Sequence, residues 1–242
     1  MTFSKFLLVS FSMIFFACAN SDDESDGGSA GESNFSEAEP ETSSEWQVLF
    51  DGSSMDQWRG YRQEEMAPGW EIVDGAMTMT APSHEGDIVT VQQFSNFELE
   101  FEWMVPEGGN SGIMFRVTED LGAPYETGPE YQVLDDAHHT DGQATKNSAG
   151  SNYDIHAPSS NVVKTTGEWN TGRIVADGPH IEHWLNGEKI IEYELWTDEW
   201  KADVATSKWV DFPDYGLRES GHIAIQGDHT SVSYRNMKIR VL

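Results

Sequence analysis

From Trp46 onward, large apolar residues alternate with polar or small ones, the period-two pattern of strands buried on one face. Three runs carry it most clearly: GNSGIMFR (Gly109–Arg116), EYQVLD (Glu130–Asp135) and GHIAIQGDH (Gly221–His229). If Ile113 and Phe115, Tyr131 and Val133, and Ile223 and Ile225 face a core, then Arg116, Glu130, Gln132, His222 and Gln226 emerge on the opposite face. Further strands are predicted at 46–50, 70–73, 77–80, 87–92, 97–105, 169–176, 180–185, 188–195 and 231–241. Asp74-Gly75 and Asn186-Gly187 are two-residue hairpin signals, and Asp177-Gly178-Pro179 joins another strand pair. No long helical periodicity is present. These features predict an all-β sandwich of two antiparallel sheets, of jelly-roll type. Two irregular stretches, 136–166 and 196–220, interrupt the pattern. Loops of that length are commonly functional, and their aromatic content suits walls around the polar sheet face.

The N-terminus reads differently. Lys5 supplies a positive region, Phe6–Phe16 an apolar one, and Ala17 precedes Cys18, the sole cysteine. The apolar run is too short for a spanning helix. Residues 1–17 therefore read as an export signal, with Cys18 as a lipidation site that would anchor the protein to the outer membrane, facing either the periplasm or the exterior. Residues 18–45 are Ser-, Asp-, Glu- and Gly-rich and read as a flexible acidic tether, since they offer little apolar surface to offset ordering entropy. That leaves 46–242 as one folded domain. Nine acids and one lysine precede Trp46, leaving 33 acids against 13 bases and a formal charge of −20. Such a surface opposes nucleic acid and anionic lipid as partners and accepts a neutral ligand.

An acid, a guanidinium, two amides and an imidazole on one sheet face suit a polar ligand of sugar size. Asn110-Ser111-Gly112 either opens a strand or lets a ligand approach the backbone closely. His183, in a predicted strand, reads equally as a hydrogen-bonded structural histidine or a ligand contact. Asp135, Asp136, His138, His139 and Asp141 have metal-ligand chemistry, but their spacing matches no closed zinc motif and a solvated loop is the better reading. A divalent metal using some of them with Glu130 stays open. Trp200 and Trp209, in the second irregular stretch, are candidates for stacking on a sugar. There is no G-x-S-x-G nucleophile motif and no glycine-rich phosphate cradle.

LFDGSSMDQW (Leu49–Trp58), GWEIVDGAM (Gly69–Met77), FELEFEWMVPEGGNSGIMFR (Phe97–Arg116), EYQVLDD (Glu130–Asp136), YDIHAP (Tyr153–Pro158), EWNTGRI (Glu168–Ile174), HWLNG (His183–Gly187), GHIAIQGDH (Gly221–His229) and YRNMKI (Tyr234–Ile239) follow one another in an order that resembles the 3-keto-disaccharide hydrolase domain family. Gly227 departs from it, because the family more often runs directly from Gln to Asp-His-Gly. The resemblance implies a concanavalin A-like sandwich and cleavage of a glycosidic bond in a sugar whose C3 hydroxyl is a ketone. Such chemistry needs a base for the C2 proton, a group that stabilises the enolate, and an acid for the leaving oxygen. Residue chemistry and strand phase then assign Glu130, or a nearby histidine, as base and Arg116 as the stabilising charge. His222 or Tyr153 would be the acid. Asn110, Gln132, Asp135, His183, Gln226 and His229 would contact substrate. A non-catalytic carbohydrate-binding module on the same fold is the alternative.

Overall fold

The computed structural model describes residues 45–242; the export signal, Cys18 and the acidic tether lie outside the described residues. Thirteen strands form: β1 (Gln47–Phe50), β2 (Trp58–Gly60), β3 (Trp70–Val73), β4 (Ala76–Met79), β5 (Ile88–Thr90), β6 (Phe97–Met104), β7 (Asn110–Val117), β8 (Glu130–Leu134), β9 (Asn170–Asp177), β10 (His180–Leu185), β11 (Glu188–Glu194), β12 (His222–Ile225) and β13 (Ser233–Val241). One sheet has the order β11-β10-β9-β6-β13-β4-β3, with β1 also on β13; the other has the order β2-β5-β12-β7-β8. Every pairing is antiparallel. This is the predicted two-sheet jelly-roll sandwich. The sequence pattern missed the three-residue β2. Both hairpin signals are used: Asp74-Gly75 and Asn186-Gly187 have positive φ at both turn residues (50° and 75°, 50° and 88°), which matches the twist of the flanking strands.

The core lies between the sheets and follows the predicted phase. Phe97, Leu99, Phe101 and Trp103 of β6 face Ile113 and Phe115 of β7, Tyr131 and Val133 of β8, and Ile223 and Ile225 of β12. Edge-to-face contacts bridge the layers, Phe97 on Phe115 at 6.1 Å and Phe101 on Tyr131 at 5.3 Å. The ring of Phe101 needs the bare backbone of Gly172, where a Cβ would stand 2.3 Å from it. A smaller apolar group, Tyr61, Val89, Met114, Val117 and Ala224 with Tyr125 against it, lies together on the five-stranded sheet, with Met114 and Ala224 out of phase with the core residues of their strands.

The stretch after β11 contains the one α-helix among the described residues, α1 (Asp198–Ala205), capped by Thr197, whose side chain accepts from the Trp200 amide. Here the structure corrects the reading of Trp200 and Trp209 as candidates for stacking on a sugar. Both are buried, at 2% and 3% exposure. They belong to a stacked column, Tyr193–Trp200–Tyr215–Trp209, with centroid spacings of 5.6, 5.9 and 4.6 Å and interplanar angles of 8–12°. Burying four large rings secures this segment against the sandwich.

Candidate functional site

β8 is the edge strand of the five-stranded sheet, and Glu130 opens it. Its register places Glu130 opposite Met114 and Gln132 opposite Gly112. The Glu130 side chain leans diagonally over Gly112, where a Cβ would stand 2.1 Å from its Oε1. Glycine at 112 is therefore what lets the carboxyl lie flat on the sheet. Gln226 prolongs β12 beside this point, its backbone N–H donating to the Gly112 carbonyl at 3.0 Å. In one orientation the Gln132 amide donates to Asn110 Oδ1 at 3.3 Å; turned over, it donates to Glu130 Oε1 at 3.2 Å and to the Ser111 carbonyl at 2.9 Å. Asn110, Gly112, Glu130, Gln132 and Gln226 thus form one polar patch, as the strand phases predict.

Glu130 is 5% exposed. Burial pushes its carboxyl up to about 7; Lys208 and His229 pull it down, and Asp87 and Asp228 push it further up. A carboxyl that titrates near neutrality is suited to taking and returning a proton. Asp87 is itself raised to about 6, chiefly by burial, and its Oδ1 accepts from the Gly227 amide at 2.9 Å. A Cβ on Gly227 would stand 2.2 Å from the Gly86 carbonyl oxygen, so only glycine lets the two backbones pass. His229 is raised by its hydrogen bond to Asp228, with burial opposing and with Asp228, Glu130 and Asp87 adding attraction. Tyr153 donates its amide to the Glu130 carbonyl at 3.1 Å and its hydroxyl to Asp141 Oδ2 at 2.7 Å.

Four of the residues expected beside Glu130 are built into other parts of the molecule. Arg116 departs because β7 bulges there. Its φ is +55°, and three β7 residues span what two span on β12, with Val117 opposite His222 but Met114 opposite Ala224. The extra residue flips the phase, so Val117 joins Met114 and Ala224 in the smaller apolar group. The guanidinium instead donates to the Ser95 carbonyl (3.1 and 2.9 Å) and to the Gly178 carbonyl in the β9–β10 turn (2.8 Å), 1% exposed. It ties the two sheets together. His222 keeps its predicted phase but stands two strands across and two residues along from Glu130, roughly 12 Å by strand geometry. Its Nδ1 meets the Thr90 carbonyl at 2.7 Å and its Nε2 meets Gln93 at 3.0 Å, with Glu119 3.6 Å away.

His183 is fully buried beside Tyr131, its Nδ1 bonded to the Gly150 carbonyl at 3.0 Å and its imidazole lowered to about 4 by burial. It is a core histidine. Asp135 accepts from the amides of Gly108 (2.8 Å) and Ala137 (3.2 Å) and from His138 (2.8 Å), which pins the loops at the end of β8. Its neighbours are similarly engaged: Asp136 accepts from the Ala149 amide, and His139 from the Asp141 amide. These bonds give the acidic and histidine-rich loop a structural purpose.

Sequence reasoning overlooked Lys208, Asp87 and Asp228. Asp87 and Asp228 had a signal, since each borders a predicted strand run and Asp228 precedes His229. Lys208 had none, because it reaches Glu130 only through the packing of the insertion.

Fold and site together define a two-sheet antiparallel β-sandwich protein that carries a buried carboxyl on the face of its smaller sheet turned away from the main core. Within that class, residues 45–240 match the 3-keto-alpha-glucoside-1,2-lyase-like domain family, and the chain belongs to it. A 3-keto-disaccharide hydrolase of Bacteroides thetaiotaomicron is 32% identical over 225 residues, covering 81% of this chain and 78% of the relative. A solved structure from Parabacteroides distasonis, provisionally assigned as a glycosyl hydrolase, is 32% identical with a TM-score of 0.76, covering 81% of this chain and 94% of that one. Another from the same organism, with the same provisional assignment, is 27% identical with a TM-score of 0.67, covering 82% and 100%.

Proposed function

We propose that this protein cleaves the glycosidic bond of 3-keto-glycosides, with Glu130 as the base that removes the C2 proton. The observation that carries the reading is the Glu130 carboxyl, buried over Gly112 and balanced near neutrality among Lys208, His229, Asp87 and Asp228. The name of the Bacteroides relative and the family's description support the substrate class.

The C3 ketone acidifies the C2–H bond. Glu130 takes that proton, the C–H pair becomes the C2=C3 bond, and the carbonyl pair moves to O3. When the enolate collapses, C3=O re-forms, the C2=C3 pair shifts to C1=C2, and the C1–O bond breaks towards the leaving oxygen. That oxygen needs a proton, and His229, raised towards its protonated form by Asp228, supplies it. Water then adds across C1=C2, its hydroxyl to C1 and a proton to C2, which completes hydrolysis. Asn110, Gln132 and Gln226 hold the hydroxyls of the sugar. Cys18, lipidated after export, holds the domain at the outer membrane.

The test is product formation by the protein on a 3-keto-glucoside beside the unoxidised glucoside. Cleavage of the keto sugar alone supports elimination and hydration. Cleavage of both points to conventional two-carboxylate glycosidase chemistry, and binding without cleavage of either would make this a carbohydrate-binding module.

A further inference from the structure

With Arg116 tied between the sheets, the enolate needs another positive group, and the insertion supplies one. The Lys208 ammonium sits 3.8 Å from the centroid of the Tyr153 ring and 4.3 Å from that of Trp209. The two rings meet at 63° and form a corner around it. Both are immobilised: Trp209 donates Nε1 to the Tyr153 carbonyl at 2.9 Å and stacks on Tyr215, while the Tyr153 hydroxyl is bonded to Asp141. The backbone next to the charge is pinned too, the Lys208 amide donating to Asp154 Oδ2 at 2.6 Å.

The ring faces hold the cation without using its N–H groups. Among the described residues no carboxylate comes within ion-pair distance of Nζ, and Nζ donates no hydrogen bond. Glu130, Asp154 and Asp141 nevertheless attract it electrostatically, against the burial that lowers its pKa. A surface lysine is ordinarily a mobile, hydrated charge. This one is held by two aromatic faces, within electrostatic reach of the buried carboxyl, with three donors uncommitted. Preorganised donors of this kind stabilise charge that develops during reaction.

We propose that Lys208 binds the C3 oxygen of the keto sugar and receives the negative charge that forms there when Glu130 removes the C2 proton. The proposal rests on the 3-keto-glycoside reading above. It deepens that reading by assigning the enolate-stabilising role to a residue of the 196–220 insertion.

The experiment compares the full wild-type chain with Lys208→Met and Lys208→Arg on an aryl 3-keto-glucoside, with hydrogen and with deuterium at C2. Aryl alcohol release and the isotope effect are measured, and thermal unfolding checks that each variant is folded. Lys208→Met is expected to lower kcat about 10²–10³-fold with KM less affected. The C2 isotope effect should rise as proton removal becomes fully rate-limiting, and Lys208→Arg, which keeps the charge, should recover part of the loss. If the wild type is active and Lys208→Met is folded with kcat within threefold, Lys208 has no such role while the keto-glycoside reading stands. Should Lys208→Met fail to fold, Lys208→Gln decides: a folded variant with kcat within threefold and an unchanged isotope effect would overturn the assignment, because it has lost the charge. A wild type inactive on the keto sugar overturns the parent reading and this assignment with it.

Discussion

Glu130→Gln offers a test in which stability and activity move in opposite directions. The Glu130 carboxyl has a folded-state pKa of about 7, above its ordinary 4.5, because burial outweighs the attraction of Lys208 and His229. Its neutral form therefore favours the folded state. That contribution is fully present below pH 4.5 and is lost as the pH rises through 7. Displacement of a pKa from 4.5 to about 7 corresponds to roughly 3 kcal/mol. Glutamine keeps the shape but cannot ionise, so it escapes the loss. Wild type and variant are expected to be nearly equal in stability at pH 4. By pH 8 the variant should be more stable by roughly 3 kcal/mol, or about 6–12 °C in Tm for a domain of this size. Turnover should fall about 10²–10⁴-fold, the usual contribution of a general base.

The assay is urea unfolding followed by tryptophan fluorescence at unit pH steps from 4 to 8. His183 works in the opposite sense. Its folded-state pKa of about 4 lies below 6.5, so its contribution is present above pH 6.5 and lost as the pH falls through 4. Both proteins carry His183, so it cancels in the difference and leaves the Glu130 limb isolated. A difference that is flat with pH, or a variant less stable than wild type at pH 8, would refute the assignment of a desolvated carboxyl at 130.

Gly112→Ala is expected to lower kcat by about 10²-fold, because the new Cβ displaces the carboxyl from its seat; steady-state kinetics on the keto sugar check this, and Glu130→Gln in the same background should add little. Arg116→Lys should destabilise the fold by about 2 kcal/mol, since one ammonium cannot replace the fork that grips Ser95 and Gly178. Its kcat should stay within about threefold of wild type, which separates a tie between sheets from a catalytic charge. His183→Leu removes the histidine whose protonation destabilises the fold, so between pH 6.5 and 4 the variant should gain roughly 3 kcal/mol relative to the wild type, a difference in which the opposite Glu130 limb cancels. Unfolding curves across that range read it directly.

Most of the fold was legible in the sequence because it rests on local rules. Strand alternation and paired positive-φ turn residues located the hairpins and the core faces of β6, β7, β8 and β12. β2 escaped because three residues cannot establish a period, and α1 because its turns carry only one buried residue, Trp200. The site was legible where phase held. Glu130, Gln132, Asn110 and Gln226 share a patch because no bulge intervenes between them. Arg116 failed for a reason that alternation does not encode. A single left-handed residue restarts the phase, and the guanidinium then satisfies carbonyls of the opposite layer. His222 failed for a different reason, since sharing a face does not mean sharing a neighbourhood when a sheet is five strands wide.

The charges around Glu130 come from segments with different supports, and this has a consequence for how the site works. The carboxyl stands on an edge strand of the sandwich, held by backbone pairing to β7 and by the Tyr153 amide. Asp87 and Asp228 flank the close passage of Gly86 and Gly227, where the Asp87 carboxylate accepts from the Gly227 amide and joins two loop ends. Lys208 depends on a third unit, the aromatic column of the insertion. The Glu130 carboxyl is thereby placed on a strand of the sandwich, and the groups that set its charge are placed on separately packed walls. Altering a wall should change the acidity of Glu130 without moving its backbone. Variation in the insertion would then retune the chemistry and the sugar accepted, while the sheet that carries the base stays the same.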